Sequence, residues 1–295
     1  MRQLNVRPGQ DQASPALGGS VTMQQVLSTH MFLTQRLHPG LLELAAQSGA
    51  QAVEIFAARQ HFDYTSRDQV SEVASWLRAN PMTAWSLHAP LFADREMGRS
   101  GAPMLNLLHP DKLRRINAMD EIKRALESAE QIPFKYLVLH LGERDDGWSP
   151  RSVEHAITAL EHLGVFAHPL GVRLLVENLA SEPTSPEHLV NILEEGHLGN
   201  VGVCLDLGHA HLSPGVGEAI ATLGKRIVSV HVHDNHAAKD EHLWPGDGSI
   251  DWQVAAEGLK ALAAPPATVL EINPDLVENQ PDLPAKIAAA FALFA

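Results

Sequence analysis

Residues 201–235, VGVCLDLGHAHLSPGVGEAIATLGKRIVSVHVHDN, hold one complete unit of the pattern on which the fold rests. An apolar run over 201–206 ends in Asp206, a helical segment follows near 215–223, and a second apolar run over 227–233 ends in His231 and His233. Both runs are continuous rather than alternating, as expected for strands of a parallel sheet covered on both faces. The same alternation extends outward in both directions. Further strands are expected near 26–31, 51–56, 82–88, 134–140, 172–177 and 267–272. Helices are expected near 38–48, 67–79, 111–130, 151–167, 186–195, 252–263 and 283–294 as well. Ser149-Pro150 and Ser185-Pro186 each set a capping side chain before a proline suited to a first helical turn. Asp111 precedes Leu113, Ile116, Met119, Ile122 and Leu126, spaced as one apolar stripe of a helix. Eight βα units without an obvious linker predict an α/β protein, a single (β/α)8 TIM barrel over 23–295. An open doubly wound sheet is the alternative, but no Gly-x-Gly-x-x-Gly follows the first strand.

The 295 residues are 45% hydrophobic and 19% charged, enough for a sizeable core. With 22 Lys and Arg against 35 Asp and Glu, the formal net charge is -13. A field of that sign repels polyanions, so a small-molecule substrate is expected rather than nucleic acid. The single cysteine, Cys204, allows no intramolecular disulfide and reads as a buried small hydrophobe in VGVCL. Residues 1–22 lack a continuous apolar stretch; a flexible N-terminal tail is expected there rather than a signal peptide. No run approaches the roughly 18 apolar residues of a membrane span, so no membrane contact and a cytoplasmic location are expected. Nothing in the pattern sets an oligomeric state.

Polar residues recur where apolar strands end. His88 closes WSLH, His140 closes YLVLH, Glu177 closes LLVE, Asp206 closes VCLD and Glu271 closes VLE. Side chains alternate sides along a strand, so equivalent positions on several strands converge on one mouth of a barrel. Chemistry in this architecture occurs at the C-terminal mouth. Any one of these groups alone fits a hydrogen-bonded structural role. As a set, with few Lys or Arg among them, they repel one another unless cations neutralise them, since an unpaired buried charge costs several kcal/mol. A divalent-metal site follows. Asp206 and His209, three residues apart, and Asp240 and His242, two apart, add candidate ligands. Mixed imidazole and carboxylate ligation suits Zn²⁺, Mn²⁺, Co²⁺ or Fe²⁺ without choosing among them.

SLHAP, VLHLGE, VENLA, CLDLGHAH, HVHDNHAAKDEHLWPGDGSIDW and VLEI, in that order, resemble the xylose isomerase-like TIM-barrel superfamily. It includes sugar and sugar-phosphate isomerases and epimerases, and endonuclease IV. The resemblance runs from about residue 26 to 275. It implies, by analogy with sugar 3-epimerases, one metal held by Glu177, Asp206, His231 and Glu271. Glu177 and Glu271 would also be the acid/base pair, working on opposite faces of the substrate through a metal-stabilised enediolate. His209 would contact a substrate hydroxyl, and His88 is a further substrate-binding candidate. By analogy with endonuclease IV it implies a larger set of three zinc ions. There His88, His140 and Glu177 would hold one, the epimerase-type set the second, and His209, Asp240 and His242 the third. One to three divalent ions per chain (Zn, Mn, Co, Mg or Fe) are therefore expected.

Two functions follow from the resemblance: an isomerase or epimerase of a sugar, sugar phosphate or related hydroxy-carbonyl compound, or a tri-zinc phosphodiesterase acting at abasic DNA. Charge favours the first. Duplex binding needs several Lys or Arg contacts, and the loop LFADREMGRSGAPMLNLLHP after the third strand offsets Arg95 and Arg99 with Asp94 and Glu96. Aromatic residues in AARQHFDYTSRD, after the second strand, fit either a small pocket or ordinary loop packing. Gly246-Asp247-Gly248-Ser249 reads as a structural turn leading into the last helix, with Ser249 or Asp251 near its N-cap. Arg144 and Lys239 are the basic residues nearest the mouth, with Arg144 expected to meet substrate, and Trp148 and Trp244 are candidate pocket walls.

Overall fold

Eight parallel strands close into a barrel in chain order: β1 (Gln25–Ser28), β2 (Ala52–Phe56), β3 (Thr83–His88), β4 (Tyr136–Leu139), β5 (Arg173–Glu177), β6 (Gly202–Asp206), β7 (Ile227–Val232) and β8 (Ala267–Leu270). In this computed structural model the described residues are 23–97, 101–278 and 280–294. The tail expected over 1–22 lies outside them. Nine helices are described: α1 (Pro39–Gln47), α2 (Arg67–Ala79), α3 (Lys112–Leu126), α4 (Pro150–Ala167), α5 (Pro186–Glu195), α6 (Leu207–Leu212), α7 (Val216–Leu223), α8 (Trp252–Lys260) and α9 (Leu283–Ala292). None is long and apolar enough to cross a membrane.

Alternation along the strands explains why polar groups gather at one end. Val138, Leu175 and Cys204 pack together, and Val269 packs with Val26 and Ala52. Two residues further along each strand or just past its end, on the same side, stand His140, Glu177, Asp206 and Glu271. The residues between them, Leu139, Val176, Leu205 and Leu270, belong instead to the large apolar core beneath the helices. Strands with both faces covered read as unbroken apolar runs for this reason.

The expected caps form. Ser149 and Ser152 make a reciprocal capping box at the start of α4, Ser185 caps α5, and Asp111 caps α3. Asp251, rather than Ser249, caps α8. Three expectations change in detail. The first strand stops at Ser28, and Thr29–Phe32 turns as a 3-10 helix. The stripe on α3 omits Leu113, which is 68% exposed; the buried face is Ala118, Glu121, Ile122, Ala125 and Leu126. Helix α6 follows β6 directly and has too few residues to show a period in the sequence.

The loop after β7 is built around the buried Asp234. Its Oδ1 accepts from the N–H groups of Asn235 and Ile250, at 2.8 and 3.1 Å, and its Oδ2 from Gly246 N–H and the Trp252 indole, both at 2.9 Å. The turn expected over 246–249 serves this cradle: Gly246 has φ +92, and a Cβ on Gly248 would collide with the Asp234 carboxylate. Burial disfavours the charged form of Asp234, but the indole and backbone donors outweigh it and hold the carboxyl below its ordinary value. Its contribution is thus present in full above about pH 4 and is lost as pH falls through the lowered value. Asp234→Asn is expected to cost about 2–3 kcal/mol in urea unfolding between about pH 5 and about pH 8, with the gap to wild type closing in acid. A gap that does not depend on pH would mean that the charge is not what the four donors recognise.

Candidate metal centre

His231 on β7 is fully buried and turns Nδ1 toward three carboxylates. Glu271 Oε2 lies 2.9 Å away, Glu177 Oε1 3.3 Å and Asp206 Oδ2 3.7 Å. The register brings them together: His231 is opposite Asp206 on β6 and opposite Val269 on β8, two residues before Glu271. Asp206 is also the N-cap of α6, its Oδ1 accepting from the His209 N–H at 2.7 Å. Helix geometry thereby sets the three-residue spacing of Asp206 and His209.

Two further groups flank this inner set. His88 Nε2 and His140 Nε2 lie 3.3 and 3.2 Å from Glu177 Oε2. Asp240 Oδ2 lies 3.1 Å from both His209 Nε2 and His242 Nε2, and its side chain is 33% exposed, so this group is the most open of the three. Backbone carbonyls anchor most of the rings. His88 Nδ1 meets the carbonyl of Ala89 at 2.9 Å, His209 Nδ1 that of Asn178 at 2.9 Å, and His242 Nδ1 that of Glu271 at 3.2 Å. A carbonyl only accepts, so each Nδ1 carries the hydrogen and each Nε2 faces the carboxylates.

The electrostatics follow from this crowding. Burial alone would lower His209 and His242, but the carboxylates of Asp206 and Asp240 raise His209 to about 10, and Asp240 raises His242 to about 9. Burial opposes ionisation of Glu177 and Glu271 too, yet the His231 imidazole holds both well below the ordinary carboxylate range. Imidazole protons and a divalent cation are competing ways to balance the same carboxylates.

The donors fit a metal. Glu177 Oε2 is buried and makes no hydrogen bond, although two imidazole nitrogens stand within 3.3 Å of it. A carboxylate oxygen and two ring nitrogens that converge without bonding one another suit a shared cation. Glu177, Asp206 and His231 can hold one ion, with Glu271 against the same His231 nitrogen. His88, His140 and Glu177, and His209, Asp240 and His242, form two further sets, and Glu54, His231 and Glu271, and His30, His242 and Glu271, also converge. Mixed nitrogen and oxygen donors match borderline divalent metals.

His88, His140, Glu177, His209, Asp240, His242 and Glu271 line a cavity of about 300 Å³, which Arg144 also lines, while Asp206 and His231 lie beneath it. Trp244, expected as a wall, is instead buried beneath Lys286 and does not line it. Trp148 stacks on His188, and Lys239 pairs with Glu241. Phe62 and Tyr64 after β2 are core residues. Three residues not singled out in the sequence, His30, Phe56 and Glu54, reach the site, together with His233 from the end of β7. His30 contacts Glu271 and His242, Phe56 stacks on His88, His233 donates to Asp206 at 2.9 Å, and Glu54 meets His231. Of the first three, only Glu54 left a signal, an acid in the middle of the apolar strand AVEIF.

The chain belongs to the xylose isomerase-like TIM-barrel family, whose sequence profile matches residues 42–292. It spans about half the length of several curated relatives that it matches. A probable endonuclease 4 of Haloquadratum walsbyi is 29% identical over 167 residues, 50% of this chain and 59% of that protein. An inosose isomerase of Bacillus velezensis is 22% identical over 239 residues, 75% of this chain and 78% of the relative. Among solved structures, an IolI protein with a bound zinc atom shares the fold at a TM-score of 0.76 and 19% identity, covering 92% of this chain and 98% of its own.

Two measurements test the centre. Elemental analysis of the purified protein is expected to find divalent metal, and His242→Ala to lose one equivalent of it. Unchanged content in that variant would take Asp240, His209 and His242 out of the centre. A Cβ on Gly208 would collide with the Cε1 edge of the His233 ring. Gly208→Ala is accordingly expected to displace His233 from Asp206 and cost about 1–3 kcal/mol in thermal unfolding.

Proposed function

We propose that the chain is a divalent-metal-dependent isomerase or epimerase of a sugar, a sugar phosphate or a related hydroxy-carbonyl compound. The observation that carries this reading is the pairing of two buried carboxylates, Glu177 and Glu271, at 3.3 and 2.9 Å from one imidazole nitrogen at the edge of a cavity of about 300 Å³. That volume suits a small molecule. Phe56, Leu91, Met104 and Leu179 give it an apolar side, and Arg144 is the one Lys or Arg that lines it among the described residues. Duplex DNA demands several such contacts, and the whole chain carries a formal net charge of -13.

In the proposed reaction one of the two glutamates takes the proton from the carbon beside the carbonyl, and the other returns a proton to the substrate. A cation held by Glu177, Asp206, His231 and Glu271 supplies Lewis-acid stabilisation of the charge that develops on the substrate oxygen. His209, with Nδ1 fixed on the Asn178 carbonyl, presents Nε2 toward the cavity side where Asp240 stands and is assigned to a substrate hydroxyl. His88 is held flat against Phe56, with ring centroids 4.4 Å apart, and can orient substrate from the other flank. Arg144 is assigned to an anionic substituent where the substrate has one. The inosose isomerase relative supports this class of substrate.

A second reading has one specific observation in its favour. The groups His88–His140–Glu177 and His209–Asp240–His242 flank the inner set, and together they make up the nine-residue pattern of the endonuclease 4 relatives' superfamily. Under it the chain would be a phosphodiesterase acting at abasic sites.

Incubating the wild-type chain with ketoses and cyclic polyol ketones in D₂O, read by proton NMR, separates the two. The isomerase reading expects deuterium to enter beside the carbonyl, and Glu177→Gln and Glu271→Gln each to slow this by about 10²–10⁴-fold. Exchange at the wild-type rate in both variants would remove the acid/base assignment. Cleavage of an abasic duplex, without exchange on any ketone, would establish the second reading instead.

A further inference from the structure

Glu54 has no place in the three sets that the resemblance implies, yet it touches the residue at the centre of the site. It sits in the middle of β2, fully buried, at the register shift between Val53 and Glu54 where β2 pairs with β3. Its oxygens accept from two hydroxyls, Ser28 Oγ at 3.1 Å and Ser86 Oγ at 2.7 Å. Its Oε1 also lies 3.2 Å from His231 Nε2. Burying a carboxylate costs several kcal/mol unless donors surround it, and these three donors come from three different strands, β1, β3 and β7.

The orientation of His231 gives this contact its meaning. His88, His209 and His242 each anchor Nδ1 on a backbone carbonyl and face the carboxylates with Nε2. His231 is turned the other way round: Nδ1 faces Glu177, Asp206 and Glu271, and what Nε2 meets is Glu54. Resting on the metal reading above, we propose that Glu54 is the positioning residue of the inner ion. It accepts the Nε2–H of His231, which commits the Nδ1 lone pair to the cation, while Ser28 and Ser86 hold the Glu54 carboxylate in place. A carboxylate partner also raises the basicity of the imidazole it holds. Glu54 does not line the cavity, and its ion-pair contact with the inner set is made through His231.

The test uses the full chain, stripped of metal and titrated with zinc by calorimetry, together with ¹⁵N NMR of the histidine side chains. Glu54→Gln keeps the size of the side chain and removes its charge. It is expected to weaken the tightest zinc equivalent by about 10–100-fold, with a smaller loss in Ser86→Ala and recovery toward wild type in Glu54→Asp. In the wild-type chain, His231 is expected to carry its hydrogen on Nε2 both with and without zinc. Zinc binding by Glu54→Gln as tight as wild type, or a His231 without hydrogen on Nε2, overturns the proposal. Should Glu54→Gln fail to fold, Ser86→Ala and the wild-type spectrum decide it. A wild-type chain that takes up no zinc refutes the metal reading instead, and the Nε2 hydrogen in the metal-free chain still reports whether Glu54 holds the ring.

Discussion

Glu54, Glu177, Asp206 and Glu271 are buried around a single imidazole, that of His231, and the mouth of the barrel is arranged to make that burial tolerable. Carboxylates brought this close out of water repel one another, and the penalty is met only by positive charge or hydrogen-bond donors placed between them. The imidazoles fill that role from every side. His88 and His140 stand against Glu177, His233 against Asp206, and His30 against Glu271. Were the site to bind metal, its protonation state and metal content would be tied together, because each proton that leaves a ring makes room for a cation.

The rest of the fold serves this constraint. Apolar inward positions, among them Val138, Leu175, Cys204 and Val269, close the barrel below the charged layer and keep water from it. Carbonyls at the loop starts lock the rings, and Asn178 ties two strands together by exchanging hydrogen bonds with the Asp206 backbone at 2.8 and 3.0 Å. The Asp234 cradle holds the loop that carries Asp240 and His242, whose own strand-like pairing, Asp234 with Leu243, returns the chain to the mouth. Rigid support of this kind is what a ligand set needs, since small displacements of a donor cost affinity steeply.

Family membership leaves the chemistry open, because one barrel and one ligand pattern serve proton transfer on sugars and hydrolysis of phosphodiesters alike. What separates the two is access and charge outside the ligands. Under the proposed function, a cavity of about 300 Å³ with one arginine in its lining among the described residues, in an acidic chain, fits a compact substrate better than a duplex. The inner set is deep and closed, whereas the Asp240 set is open to solvent, so the three groups need not behave alike toward metal.

Much of this was legible in the order of residues. Continuous apolar runs, the Ser-Pro caps and the strand-end placement of His88, His140, Glu177, Asp206 and Glu271 come from local rules, namely two-residue alternation along a strand and the bonding needs of a helix start. Those rules act over a few residues, so the sequence by itself determined the barrel and most of the polar mouth. It did not show what His30, Glu54 or His233 would contact, nor that Trp244 turns into the core, nor that Leu113 faces solvent. Glu54 and His231 are 177 residues apart, and they meet only because β2 and β7, three strands apart around the closed barrel, send side chains into the same interior. Which way the His231 ring turns depends on that meeting, and closure of the barrel alone decides it.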